Sequence, residues 1–312
     1  MVPASRAESF ADLRGQYPRI EFVTYNGLGD AVDRVADCDA FIGDPNDALL
    51  KAGVKLRWVQ AFHAGVEHFI DAPSLRDRDV VVTNCKIIMG PQLADHVFAL
   101  LLSLTRNMRF YTKGMDEEKW DRFSGMPLLE LRGKTMLIIG LGGAGTQTAD
   151  RAKAFGMRVL AVDTKDMPYS HNVDYCGKPD ELRKLLPEAD VVASCVPLTD
   201  ESRHVLGAEE FALMKDGALV INISRGGVID TEALTAALEA GKLGGAGLDV
   251  TEPEPLPAGH PLWERPNVII TPHIAGFSDG RDLRIKEMIR ENIARFAQGL
   301  PLKNVVNIRE GY

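Results

Sequence analysis

The sequence has no run of basic residues, no long apolar stretch and few cysteines, and each absence removes a class of function. Lysine and arginine are scattered and the formal net charge is −8. That leaves no electrostatic footprint for nucleic acid or for an anionic lipid surface. The longest apolar stretch, Val97 to Leu102, is far too short to span a bilayer. Met1 to Gln16 is polar and charged and lacks the apolar core of a signal peptide. The four cysteines (Cys38, Cys85, Cys176, Cys195) stand far apart with no metal-ligand spacing. Free thiols in a cytoplasmic protein are therefore expected, with no metal site. What remains is an ordinary globular composition, 45% apolar and 26% charged, in a chain of 312 residues. That length accommodates two domains.

The stretch that organises the rest is Thr135 to Asp163. An apolar run, Thr135 to Ile139, leads into Gly140-Leu141-Gly142-Gly143-Ala144-Gly145 and a helix-compatible segment to about Ala154. A second apolar run, Met157 to Val162, ends in Asp163. Physically this is strand, glycine turn, helix, strand, acid. Gly140 allows the tight turn, Gly142 lets the backbone approach a pyrophosphate, and Gly145 lets the helix pack closely. The helix N-terminus offers free N–H groups to phosphates. Asp163 follows Gly140 by 23 residues, where a carboxylate can accept hydrogen bonds from an adenosine ribose. A carboxylate there repels a 2′-phosphate, so NAD is expected over NADP. Lys165, two residues on, softens that choice and keeps NADP possible.

Before this stretch, short apolar segments alternate with polar segments of helix length. Arg19 to Tyr25, Asp39 to Gly43, Leu56 to Gln60 and Val80 to Asn84 read as strands, implying a parallel sheet covered on both faces. Between the last two lies a loop with His63, Ala64 and Gly65. Its backbone N–H groups can face an anion. His63 reads either as a contact to a substrate carboxylate or as a loop histidine packed on Phe62. Gln92 to Asn107 fits a long helix that is apolar on more than one stripe, as for burial between domains or against another subunit. Lys113 to Gly125 reads as a solvated charged stretch with Trp120 as its apolar anchor, a lid, a dimer contact or an ordinary packing tryptophan.

After Asp163 the alternation continues. Strands are expected at Ala189 to Val196, Ala218 to Ile223, Gly245 to Val250 and Val268 to Thr271. Helices are expected at Pro179 to Leu186, Glu209 to Met214, Thr231 to Ala240 and Arg281 to Gln298. Ligands of open parallel sheets bind beyond the carboxyl ends of the strands. Three tails there carry chemistry: Ser224-Arg225-Gly226-Gly227, Asp249-Val250-Thr251-Glu252-Pro253-Glu254, and Thr271-Pro272-His273. Arg225 can fork onto a carboxylate and polarise a carbonyl. His273 can give a proton to the carbonyl oxygen as hydride arrives, with Glu254 favouring the imidazolium and fixing the ring.

With these residues in view, the chain resembles the D-isomer-specific 2-hydroxyacid dehydrogenase family. The glycine loop, Cys195-Val196-Pro197-Leu198-Thr199, Asn222 to Gly227, Gly247 to Val250 with Glu254-Pro255, and Thr271 to His273 carry the likeness. It extends to Leu56 to Gln60, Ala64 to Val66 and Asp95-His96. The resemblance implies two doubly wound parallel-sheet α/β domains, Rossmann and flavodoxin-like, with an interdomain cleft. It implies catalytic roles for Arg225, Glu254 and His273. It implies pyrophosphate contact from Gly143 and Ala144 and adenosine contact from Asp163. Val196 and Pro197 would line the adenine side, and Ile223 and Asp249 would hold the carboxamide. Ser224, Arg225, His273 and Gly276 complete the expected cofactor set. Ala64 and Gly65 N–H groups would take the substrate carboxylate. The expected substrate domain is 1–105 with 284–312, and the NAD-binding domain is 106–283. The last helix is assigned mainly to the crossing between them, and the long helix resembles the family's dimer-forming segment.

The implied reaction is reversible hydride transfer between NAD(H) and a small 2-oxo or D-2-hydroxy acid, in a homodimer. Departures limit the transfer. Thr251 stands where an aromatic residue is frequent, and His63 and Met89 are not generic choices for substrate loops. Glu254 is not the glutamine of the formate branch. With no regulatory segment after Tyr312, the long, serine-controlled phosphoglycerate enzymes fit poorly. No basic cluster near Ala64 argues for a phosphorylated substrate. The rival readings are an NAD-sensing, co-repressor-like binding protein and a phosphite-type dehydrogenase.

Overall fold

A computed structural model describes residues 1–70, 72–76, 78–166 and 172–308. The parts of the expected domains at 71, 77, 167–171 and 309–312 lie outside the described residues. The chain divides into two compact units, 1–89 with 278–312, and 90–277.

The first unit is built on parallel strands. β1 (Val2–Pro3) pairs with β2 (Thr24–Tyr25), and β3 (Ala40–Ile42), β4 (Trp58–Gln60) and β5 (Val81–Thr83) pair in that order. Met1 joins the two sheets: its ammonium donates to the Ala40 carbonyl at 2.6 Å, and the Ile42 N–H donates to the Met1 carbonyl at 2.9 Å. The N-terminus, polar by composition, thus contributes a strand, because Met1 and Val2 are buried. The strand expected over Arg19 to Tyr25 is confined to its last two residues.

Helix Arg281–Gln298 belongs wholly to this unit. It is held by packing and by buried polar groups. Phe296 packs against Trp58 with the rings tilted and their centroids 5.1 Å apart. The Asn292 amide donates to Gln60 Oε1 at 2.9 Å, and Thr83 Oγ1 donates to the same oxygen at 2.8 Å. Gly299, in the left-handed region at φ 68°, ends the helix. The chain then runs back to β5, where the Val306 N–H donates to the Val82 carbonyl at 2.8 Å.

The second unit holds a seven-stranded parallel sheet among the described residues. Its strands are β6 (Thr135–Ile139), β7 (Arg158–Val162), β8 (Tyr175–Gly177), β9 (Val191–Ser194), β10 (Ala218–Asn222), β11 (Leu243–Leu248) and β12 (Val268–Ile270). The spatial order is β12-β11-β10-β9-β6-β7-β8. The winding direction reverses between β6 and β9, the position where doubly wound sheets bind nucleotides. β6 is buried along its whole length, as a central strand covered on both faces requires.

The long helix, Gly90–Thr105, packs on this second sheet. Leu100 lies so close to Gly247 on β11 that a side chain at 247 would collide with it. Phe98 stacks on Phe155 at 5.0 Å. The helix buries its broad apolar surface inside its own unit, so the chain crosses at 89/90 and 277/278, earlier than the expected 105/106 and 283/284.

Part of the expected solvated stretch is helical, over Met108–Asp116. Trp120 is 92% exposed and Phe123 82%, so Trp120 is not a packing anchor within its own chain. Among the described residues no helix is long and apolar enough to cross a membrane.

Candidate active site

Every strand tail singled out above falls at the carboxyl end of the second sheet. After β6 the chain turns at Gly140, φ 89°. A side chain at Gly145 would collide with the Gly140 carbonyl, so the start of helix Gly143–Ala154 is pressed onto the turn. The space above Gly142 is open, with nothing within 4 Å of where a Cβ would stand. The first N–H groups of that helix have no partner within it. Together these form the cradle a pyrophosphate needs.

Asp163, at the end of β7, is tied into the same turn. Its Oδ2 accepts from the Leu141 N–H at 2.7 Å and its Oδ1 from the Lys165 N–H at 2.8 Å. Each oxygen keeps a lone pair for a ribose hydroxyl. The acid therefore also fixes the glycine loop, a structural role that its spacing alone did not disclose. Val196, after β9, packs against Gly140. The Ser202 hydroxyl, donating to the Pro197 carbonyl at 2.7 Å, holds the neighbouring loop. Burial pushes the Cys195 thiol up to about 12, which removes it as a nucleophile. The residues present fit a dinucleotide.

The tail of β10 is braced from within. Asn222 Oδ1 accepts from both the N–H and the hydroxyl of Ser224, at 3.0 and 2.9 Å. The Ser224 hydroxyl meets that of Ser194 at 2.8 Å, and Asn222 Nδ2 donates to the Arg225 carbonyl at 2.9 Å. Ile223 is buried between these residues in sequence. This brace sets the backbone of Arg225, whose guanidinium donates to the Ser224 carbonyl at 2.8 Å.

Asp249 anchors the tails of β11 and β12. The residue is 2% exposed. Its Oδ1 accepts from the Thr271 hydroxyl at 2.6 Å and the Ile274 N–H at 2.9 Å, and its Oδ2 accepts from the Ala275 N–H at 2.9 Å. His96 Nε2 lies 2.8 Å from the Thr271 hydroxyl and 3.4 Å from Oδ1. Burial alone would push this carboxyl up. The hydrogen bonds from His96, Thr271, Ala275 and Ile274 together outweigh it and hold the group at about 2.

His273 follows immediately, its N–H donating to the Asp249 carbonyl at 2.8 Å. The residue sits at φ 55°, a strained conformation for a non-glycine residue. Its Nδ1 is 2.7 Å from Glu254 Oε1. The ring is about half exposed, and with Nδ1 engaged, Nε2 is the nitrogen left to exchange a proton. Gly276 is tied to the long helix through its carbonyl, which accepts from Gln92 Nε2 at 3.2 Å.

Three side chains in this region were not read from the sequence as functional. Arg203 and His204 grip Glu252 at 2.8 and 2.6 Å and so fasten the loop that carries Glu254. His96 reaches Asp249 across more than a hundred intervening residues. Only its place in the family likeness pointed to it, since a histidine on a helix carries no local sign of its partner. A cavity of about 470 Å³ opens at the other end of the sheet, beside Lys134, Asp190 and Gly244, and holds none of these residues.

In the first unit, His63, Ala64 and Gly65 lie in the loop after β4. The Ala64 carbonyl accepts from Asn84 Nδ2 at 2.5 Å. His63 Nε2 points to Asp44 Oδ2 at 3.3 Å.

The Asp249 carboxyl sets an acid limit. A group lowered from 3.8 to about 2 on folding gives stability that is fully present above pH ~4 and lost as pH falls through ~2. The shift corresponds to about 2 kcal/mol. Urea unfolding followed from pH 5 downward should show this loss. His96→Ala, which raises the folded-state value toward 3.8, should make the acid-dependent part of the loss smaller. An identical pH dependence in the variant would remove His96 from the network.

The sequence model of the family described as "D-isomer specific 2-hydroxyacid dehydrogenase, NAD binding domain" matches residues 98–275. A glyoxylate reductase of Korarchaeum cryptofilum is 38% identical over 88% of this chain and 85% of its own length. The crystal structure of a D-isomer specific 2-hydroxyacid dehydrogenase family protein from Aeromonas salmonicida superposes with a TM-score of 0.82 at 34% identity, covering 98% of this chain and 97% of that one. A D-isomer specific 2-hydroxyacid dehydrogenase from Xanthobacter autotrophicus, solved with NADPH and MES, gives a TM-score of 0.82 at 28% identity, covering 100% and 98%. The chain belongs to the D-isomer-specific 2-hydroxyacid dehydrogenase family of NAD(P)-dependent enzymes.

Proposed function

We propose that the protein reduces a small 2-oxo acid to the D-2-hydroxy acid, reversibly and with NAD(H) preferred. In this reading the unit 90–277 binds the cofactor and the unit 1–89 with 278–312 contributes to the substrate. The observation that carries it is the His273–Glu254 pair, 2.7 Å apart at Nδ1, on the same sheet end as Arg225 and the glycine loop. The bound nicotinamide supplies the hydride.

The protein's residues do the rest. Glu254 takes the Nδ1 proton of His273 in a hydrogen bond, so Nε2 delivers a proton to the substrate oxygen on reduction and removes it on oxidation. Arg225 binds the substrate carboxylate and polarises the carbonyl. The N–H groups of Ala64 and Gly65 hold the carboxylate from the loop after β4, and His63 borders it. Asp249, ionised and with a single N–H on its Oδ2, keeps a lone pair there for the carboxamide, and the Ile223 backbone accompanies it. Asp163 accepts from the ribose and disfavours a 2′-phosphate.

Trp120, Phe123 and Met115 (77% exposed) are three large apolar side chains close in sequence and open to solvent, as at a surface that a partner covers. We assign it to a homodimer. Trp120→Ser with Phe123→Ser should shift the protein to a smaller species in sedimentation velocity. A native protein that already sediments as a monomer would contradict the assignment.

For the reaction, NADH and NADPH oxidation with glyoxylate, hydroxypyruvate, pyruvate and a branched 2-oxo acid should show turnover with NADH. His273→Gln should lower turnover ~10²–10⁴-fold. Arg225→Ala should raise KM for the oxo acid as well as lower kcat. Tight NADH binding with no turnover on any acid would exclude the dehydrogenase reading in favour of a cofactor-sensing one.

A further inference from the structure

One face of the long helix is tied to the strand tail that carries Asp249. Gln92, His96 and Leu100 stand four residues apart and so share that face. Gln92 Nε2 reaches the Gly276 carbonyl at 3.2 Å, His96 Nε2 lies 3.4 Å from Asp249 Oδ1, and Leu100 lies against Gly247. The two spacings match. Four residues of helix advance about 6 Å, and two residues of strand about 6.6 Å. With Leu100 seated on Gly247, where a side chain would collide, His96 falls beside Asp249.

Counting protons fixes the direction of each hydrogen bond. The Thr271 hydroxyl has one proton and donates it to Asp249 Oδ1 at 2.6 Å. Asp249, held at about 2, is ionised and has none to give. The 2.8 Å contact between His96 Nε2 and the Thr271 hydroxyl oxygen therefore requires a proton on Nε2. Oδ1 receives the Thr271 hydroxyl and the Ile274 N–H and faces the imidazole, whereas Oδ2 receives the Ala275 N–H alone. The side chain of His96 is 17% exposed and that of Asp249 1%, so little water competes for these bonds.

We propose that His96 is a positioning residue: its Nε2–H holds the Thr271 hydroxyl on Oδ1, which keeps Oδ2 turned to the carboxamide and the nicotinamide presenting one face. The inference rests on the assignment of the carboxamide to Asp249 in the proposed function. Without the imidazole the Thr271 hydroxyl is free to rotate and the carboxylate to turn. A ring whose carboxamide is loosely held can flip and offer its other face.

The test compares Kd for NADH with Kd for ADP-ribose, which has every part of the cofactor except the nicotinamide. Calorimetry gives both in the native protein, His96→Ala, His96→Gln and Thr271→Val. The native protein should bind NADH the more tightly. His96→Ala should weaken NADH about tenfold and leave ADP-ribose unchanged. With NADH deuterated on one face of C4, the native protein should transfer all of the label or none, and His96→Ala a fraction. His96→Gln, whose amide can still donate to Thr271, should stay close to native, and Thr271→Val should match His96→Ala. Equal losses for both ligands in His96→Ala, the mark of a merely structural role, or no loss for either, overturn the proposal. Should that variant fail to fold, a Thr271→Val protein that keeps the native difference between NADH and ADP-ribose overturns it instead. A native protein that binds the two ligands equally would remove the carboxamide assignment, and this inference with it.

Discussion

Asp249 must remain ionised where water hardly reaches it, and much of the second unit is arranged to meet that demand. Donors converge on its two oxygens from the Thr271 hydroxyl, from two successive backbone N–H groups and from His96 on the long helix. Each donor is itself pinned by the bond it makes. The result is a fixed turn after β12, and His273 is carried on it in a backbone conformation that would not persist unsupported. The side chain to which the proposed function gives the proton is therefore carried on a turn held by the Asp249 carboxylate.

The same economy appears at the glycine loop. Asp163 closes the turn after β6 by accepting the Leu141 N–H, and the close approach of Gly145 to Gly140 brings the helix start onto it. Loop and acid are thus tied to each other by the protein's own hydrogen bonds. The loop bearing Glu254 is likewise fastened ahead of time, through Glu252 to Arg203 and His204. The His204 hydrogen bond, with Arg203 adding to it, holds the Glu252 carboxyl below the ordinary carboxylate range.

What the sequence disclosed and what it hid divide along a physical line. β6, its glycine turn and helix Arg281–Gln298 were legible to the residue, because a fully buried strand and a long periodic helix have strong local patterns. β1 was hidden because two residues make no pattern, and their burial depends on a distant carbonyl at Ala40. β8 escaped for the same reason of length. The compact units meet at 89/90 rather than at the expected 105/106, because the apolar long helix packs on the second sheet, as where Leu100 lies against Gly247. Arg225, Glu254 and His273 stood out by residue type at strand ends, and the structure places them at one end of the second sheet. The contacts of His96 with Asp249 and of Asp163 with the Leu141 N–H were not legible, since each depends on a partner remote in sequence.

The central claim is direct hydride transfer to the carbonyl carbon of a 2-oxo acid on this sheet end. Its most direct test follows deuterium from NADH labelled at C4 of the nicotinamide into the product acid, by mass spectrometry and chiral chromatography. The account predicts one deuterium at C2, in the D-configured acid alone. Product without label at C2, or an L-configured product, would contradict it.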